Sequence, residues 1–248
     1  GFNDSLKRIY SDILKNKKSV LNVIKRPKNT QEKIKYDVVL YEQPFTITDI
    51  NYWKHFNISL EILNLYNVKS IQKVVKKTND VCFEFYYSHS NPIYCYKYDK
   101  DVYKIYKPFT ENKLDKFHFK GTVNTIEGYD QLPWLGDLLI ITKSLKDVMC
   151  LHSFGYNAIS LQGEGNPLSP ELYNTLSKRF IKIISLYDYD DTGIKGSSTL
   201  QTNYNIDPIY IDQEYDVKDI SDFCSKFGVE CTKNFLTQIT NKYDTTQN

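Results

Sequence analysis

Residues 136–228 alternate between short apolar runs and stretches of helical character, and this alternation restricts the fold more than any other feature of the chain. The run 136–142, Gly-Asp-Leu-Leu-Ile-Ile-Thr, reads as a buried strand, and residues 143–151 continue as a helix ending near Gly155. A second strand is expected at 157–161, followed by Gly163-Glu164-Gly165. Ser169 can cap the next helix, which Pro170 opens. Residues 180–187 form a third apolar run and 206–211 a fourth, and a last helix is expected to open after Val217 and stop at Gly228. Strands that alternate with helices in this way imply a parallel sheet covered by helices.

The third run ends in Asp188-Tyr189-Asp190-Asp191-Thr192-Gly193, so its carboxylates sit at the C-terminal tip of a strand. In an open α/β sheet that tip is where ligands bind, because the loops leaving the strands form a crevice. Asp188 and Asp190 are one residue apart, and in extended backbone their side chains leave on the same side. Crowded carboxylates call for a cation between them, and hard oxygen ligands suit Mg2+. The plain alternative is that Asp190 or Asp191 caps the following helix.

A compact β/α segment with an acidic element after its first strand, Asp188-x-Asp190-x-x-Gly193 after its third, and Lys218-Asp219 before its last helix resembles the Toprim domain. Lys218-Asp219 and the segment before Gly136 are similar to bacterial and phage DnaG-type primases. The match is good over roughly the last third of the chain and looser over the middle third. One departure stands out. The family's first strand normally ends in Glu, with an Asp four positions later; counting back from Asp147 places Lys143 there. Glu164, leaving the neighbouring strand, is a candidate to supply the missing carboxylate. Lys143 could contact a nucleotide phosphate or neutralise the acidic loop.

Ahead of this region the pattern changes. Residues 2–24 show helical spacing of apolar side chains, and the stretch from Lys7 to Lys35 carries nearly all its charge as Lys or Arg, although the net charge of the 248 residues is only +2. Such a basic arm suits a phosphate-handling protein; a bias toward Lys, Asn, Ile and Tyr would produce it too. Residues 38–41 are strand-like, a helix capped at Thr48 is expected to carry Tyr52 and Trp53 into a core, and a further helix to cover residues 60–66. Residues 81–87, 93–98 and 102–106 alternate with period two and predict an antiparallel meander. Lys104, Lys107, Lys113, Lys116 and Lys120 follow, interleaved with Tyr106, Phe109, Phe117 and Phe119. Cations between aromatics can track a phosphate backbone while bases stack, although Phe117 and Phe119 could equally be core.

The expected fold class is therefore an α/β Toprim domain, with a parallel sheet flanked by helices, preceded by an α+β lobe with an antiparallel meander. The expected boundaries are 1–35 for a basic helical segment and linker, 36–131 for a template- and nucleotide-binding lobe, and 132–248 for the Toprim lobe. No apolar run approaches bilayer length. Five scattered cysteines give neither disulfide nor zinc spacing, which fits a reducing cytoplasm, the host's if the protein is phage-encoded. Opening at Gly1, the chain is expected to be a piece of a longer protein.

The resemblance implies a DNA primase core that joins ribonucleoside triphosphates into short RNA primers on a single-stranded DNA template. It implies Mg2+ or Mn2+ held by Asp188, Asp190 and Asp219, with Glu164, Asp188 and Asp190 in catalytic roles. Lys104, Lys107, Lys116, Lys143 and Lys218 are the candidates for nucleotide and nucleic-acid contact. It also implies a replicative helicase and a zinc-binding module as partners outside this segment. Two alternatives remain open: a Toprim module that binds without turnover, and a HAD-type phosphatase with Asp188 as nucleophile.

Overall fold

The computed structural model describes residues 37–77, 81–121 and 125–243. The helix expected at 2–24 and the basic arm lie outside them. The chain divides into two compact units, one of Gly1–Val38 with Val75–Phe83 and one of Val39–Val74 with Glu84–Asn248. Of the first, residues 37–38, 75–77 and 81–83 are described. The second holds the whole of the parallel sheet, most of the antiparallel one and the site.

The described residues form ten strands: β1 Asp37–Gln43, β2 Val68–Lys77, β3 Cys82–Tyr86, β4 Tyr94–Lys97, β5 Tyr103–Tyr106, β6 Phe117–Lys120, β7 Gly136–Thr142, β8 Asn157–Ser160, β9 Phe180–Leu186 and β10 Asp207–Ile209. The helices are α1 Ile47–Lys54, α2 Leu60–Leu65, α3 Leu145–Ser153, α4 Pro170–Leu176, α5 Asp191–Tyr204 and α6 Ile220–Thr240. Strands β7 to β10 make a parallel sheet in the order β10-β9-β7-β8. Strands β1 to β6 make the second sheet, in the order β1-β2-β4-β5-β6, with β3 paired to β2.

The central strands β7 and β9 are apolar on both faces because helices cover both. Ile140, Ile184 and Leu186 face a core with α3 and α6, while Leu139, Ile141 and Ile183 face a core with α4 and α5. Adjacent residues serve opposite faces, as a pleated strand requires. The α3–α6 core is continuous with Trp53, Tyr94, Tyr96 and Tyr106 of the antiparallel lobe, so one hydrophobic cluster joins both sheets.

Several expectations are corrected. The meander does not begin at residue 81: β3 pairs with β2, and it is β2, β4, β5 and β6 that run antiparallel side by side. Helix α1 is capped by Thr46, not Thr48, because Thr46 and Asp49 close a capping box. Asp49, fully buried, also accepts hydrogen bonds from Tyr87, Tyr94 and Ser70, so the cap is tied to the sheet beneath it. Gly228 does break the last helix, with φ of 81°, but the chain resumes helical structure beyond it to Thr240. Ser169 and Pro170 start α4 as expected.

Candidate active site

The order β10-β9-β7-β8 puts a switch point between β7 and β9, since the chain leaves β7 for β8 on one side and then crosses to β9 on the other. Beyond the carboxyl ends of those two strands the flanking loops diverge, and a crevice opens there. Lys143 follows β7 and Asp188 follows β9, so topology alone makes them neighbours across this point. A cleft of about 1230 Å3 lies over it. Its walls include Lys104, Lys116, Phe117 and Phe119 from the antiparallel sheet, and Lys143, Lys146, Glu164, Asp188, Asp190, Lys218, Asp219 and Asp222 from the parallel one.

Lys143 is the hub of the acidic wall. Its Nζ is bonded to an Asp188 carboxylate oxygen and lies 3.1 Å from Asp219 Oδ2. Burial by itself would lower the Lys143 pKa, but Asp219, Asp147 and Asp188 together raise it, so the ammonium is firmly charged. Asp188 is pushed up to about 6, mainly by burial, against the pull of Lys143. Its Oδ1 is buried and has no hydrogen-bond partner.

Glu164 reaches this cluster on the loop after β8, the strand beside β7. Its Oε1 accepts the backbone N–H of Asp188 at 2.8 Å, and burial raises its pKa. The approach is close because α5 carries glycines where it passes: a Cβ at Gly193 would meet the Asp188 carbonyl at 2.1 Å, and one at Gly196 the Glu164 carbonyl at 2.3 Å.

Asp190 behaves as the plain alternative anticipated. Its Oδ1 accepts the N–H groups of Thr192 and Gly193, capping α5, and the side chain is exposed at the cleft edge. Asp219 caps α6 through the N–H of Asp222 at 2.7 Å. Burial works against its ionisation, yet Lys146 and Lys143 hold its carboxyl well below the usual range. Beneath it lies Asp147, fully buried, whose pKa is raised to about 7 by burial and then by Asp219. Ser221 Oγ lies 2.7 Å from both Asp147 Oδ1 and Asp219 Oδ1. The single hydroxyl proton of Ser221 can serve only one of these carboxylates at a time, and Asp147 Oδ1 also accepts the Ser221 N–H.

The basic wall is built differently from the sequence expectation. Lys104 is nearly buried, its Nζ 2.5 Å from Glu127 Oε1, which also accepts from Tyr98. Glu127 is held at the edge of β8 by paired backbone bonds with Ser160. Lys107 is not among the cleft residues; it stands 4.7 Å over the Phe85 ring. Lys116 and Lys218 line the cleft, and burial lowers the Lys116 pKa. Phe117 is 46% exposed and stacks on buried Tyr106 at 5.0 Å, with Lys104 and Lys116 within 6 Å of its face. The sequence reading did not place Glu127, Lys146 and Asp222 in the site. Lys146 bonds Asp222 at 3.2 Å, and its position three residues after Lys143, in the first turn of a helix, was the available signal.

The residues do not fit a divalent cation between Asp188 and Asp219. Lys143 already bridges the two, Asp190 is engaged as a cap, and among the described residues no group of three or more His, Cys, Asp or Glu side chains is placed to hold a metal ion. The expected Mg2+ or Mn2+ meets a resident ammonium there.

No family model and no curated protein matches the chain. Its structure is similar to a DnaG catalytic core, with a TM-score of 0.57 at 13% identity over 81% of this chain and 77% of that one. It is also similar to a DnaG primase catalytic domain bound to single-stranded DNA, at 0.57, 12% identity and 79% and 75% coverage. The E. coli primase catalytic core gives 0.55, 14% identity and 79% and 74%. The fold is that of a DnaG-type primase core. Among the described residues no helix is long and apolar enough to cross a membrane.

Proposed function

We propose that the protein is a primase that joins ribonucleoside triphosphates on a single-stranded DNA template lying in the cleft. The observation that supports this reading is the pairing of an aromatic and cationic wall with a carboxylate and lysine cluster at the switch point of the parallel sheet, inside a primase-core fold. Phe117 would stack a base while Lys116 meets phosphate. At the other wall the 3′-hydroxyl oxygen forms a bond to the α-phosphorus and the bond from that phosphorus to the pyrophosphate oxygen breaks. The hydroxyl proton passes to Glu164, and pyrophosphate leaves with the bonding electrons. Glu164 suits the proton transfer because burial raises its pKa and only Oε1 is committed, to the Asp188 N–H. Lys143 and Lys146 neutralise the charge that develops on phosphoryl oxygens. A replicative helicase and a zinc-binding module are the partners such a core would use in the cytoplasm.

The test is incorporation of labelled ribonucleotides on single-stranded DNA. Wild type is expected to make short products, and Glu164→Gln to lose them by a factor of about 100 or more, in the range of general-base removal, while keeping its melting temperature. Equal synthesis by both proteins would remove Glu164 from the reaction. A second reading, template binding without turnover, is favoured by Lys143 standing where the family has Glu; wild type that retains DNA but makes no product would establish it. The HAD-type phosphatase gains no support, since β9 is not the first strand of its sheet and Asp188 is paired with Lys143.

A further inference from the structure

We propose that Lys143 is the resident cation of this site: its ammonium fills the place between Asp188 and Asp219 that a divalent ion would otherwise take, and it offers its remaining N–H to a polyphosphate oxygen. The proposal rests on reading the cleft as a phosphate-handling site, and goes beyond it in saying which cation the carboxylates hold.

Three observations carry it. Lys143 Nζ bonds Asp188 and lies 3.1 Å from Asp219 Oδ2, so one ammonium satisfies both carboxylates. An ammonium has three N–H groups, and two are used in this way. The position is also fixed by packing. Lys143 sits between the end of β7 and the Ser144 cap of α3, and β9 places Asp188 directly alongside. A divalent ion would need at least two of these carboxylate oxygens, and taking them would leave a half-buried ammonium without its counter-charges. Glu164 and Lys143 therefore look like an exchange of charge between adjacent strand tips: the acid on β8's loop, the cation on β7's. Lys146, paired with Asp222, adds a second ammonium to the same wall, so the cleft can meet a polyphosphate with fixed charges.

The experiment is a titration with Mn2+, followed by electron paramagnetic resonance, on wild type, Asp188→Asn, Lys143→Gln and Lys143→Gln/Asp219→Asn. In parallel, inorganic tripolyphosphate is titrated in EDTA by calorimetry. Wild type is expected to bind no more Mn2+ than Asp188→Asn does. Lys143→Gln is expected to gain one site at least tenfold tighter, which Asp219→Asn abolishes. Tripolyphosphate should bind wild type without metal, and at least tenfold more weakly once Lys143 is Gln. A single Mn2+ on wild type that Asp188→Asn removes would overturn the proposal without any need of a Lys143 variant. So would tripolyphosphate affinity unchanged by Lys143→Gln in a folded protein, or no Mn2+ site gained by that variant. These readouts involve no turnover, so a failure of primer synthesis leaves them standing and is recognised separately.

Discussion

Lys104 shows how far a residue's surroundings can change its meaning. In the sequence it heads a row of cations interleaved with aromatics; in the structure it is nearly buried against a fully buried Glu127. Removing one partner of such a pair leaves a charge without compensation, whereas removing both leaves apolar or neutral packing. Lys104→Met is therefore expected to cost about 3–5 kcal/mol in chemical denaturation. Lys104→Met/Glu127→Gln should recover most of that. A double variant as unstable as the single one would show that the pair is not the source. Asp147 gives a second prediction, with a sign. Its folded pKa of about 7 lies above that of an exposed Asp, so the native state binds the extra proton between those values and stability falls as pH rises through that window. Asp147→Asn, which cannot ionise, should escape this loss. The difference in melting temperature between the variant and wild type is expected to move in the variant's favour from pH 5 to pH 8; a difference that does not move would mean that Asp147 is charged throughout.

At the scale of elements, β6 carries the cleft's exposed aromatic surface. Strand pairing sets Phe117 opposite Tyr106, and the exposed ring stacks on the buried one and lines the cleft. Phe117→Ala should weaken single-stranded DNA binding by about 1–3 kcal/mol, as loss of one stacked base does, with little change in melting temperature because the ring is half exposed. Fluorescence anisotropy with a labelled oligonucleotide measures it, and unchanged affinity would make the ring packing alone. Elements also show what could be read from the chain beforehand. The α/β alternation was legible because β7 and β9 are continuous apolar runs and because Ser169-Pro170 marks a helix start chemically. Strand β2 was not, since its apolar residues Val68, Ile71, Val74 and Val75 recur at i, i+3, i+6 and i+7, a helical spacing, while the strand they form buries residues on both faces. In the site, the tip of β9 was legible, but the strand ends at Leu186, so the alternation rule no longer governs Asp190, which turns into a cap. The partners of Lys143 depend on β7 and β9 being neighbours, a fact of strand order that no local pattern contains.

At the scale of the whole molecule, the question is whether the walls of the cleft are independent bodies or one cooperative structure. The cluster that includes Trp53, Tyr94 and Tyr106 on one side and Ile140, Ile184 and Phe223 on the other is unbroken, with α3 and α6 as the shared layer. Trp53 is fully buried, with ring centroids 5.0 Å from Tyr94 and 5.2 Å from Tyr52. Trp53→Ala should cost about 3–5 kcal/mol, the range for deleting a large aromatic from a packed core. Because the core is shared, the loss should lower one transition rather than detach one lobe. Of the chain's 2 tryptophans the variant keeps Trp134, just ahead of β7 and far more exposed, so its fluorescence follows the parallel sheet while far-ultraviolet dichroism follows all elements. The two signals are expected to change together at a lower temperature than in wild type. If dichroism instead showed an early partial loss while Trp134 stayed at its native signal, the antiparallel lobe would be unfolding by itself. The Phe117 wall and the Lys143 wall would then be held in register by something other than the core between them.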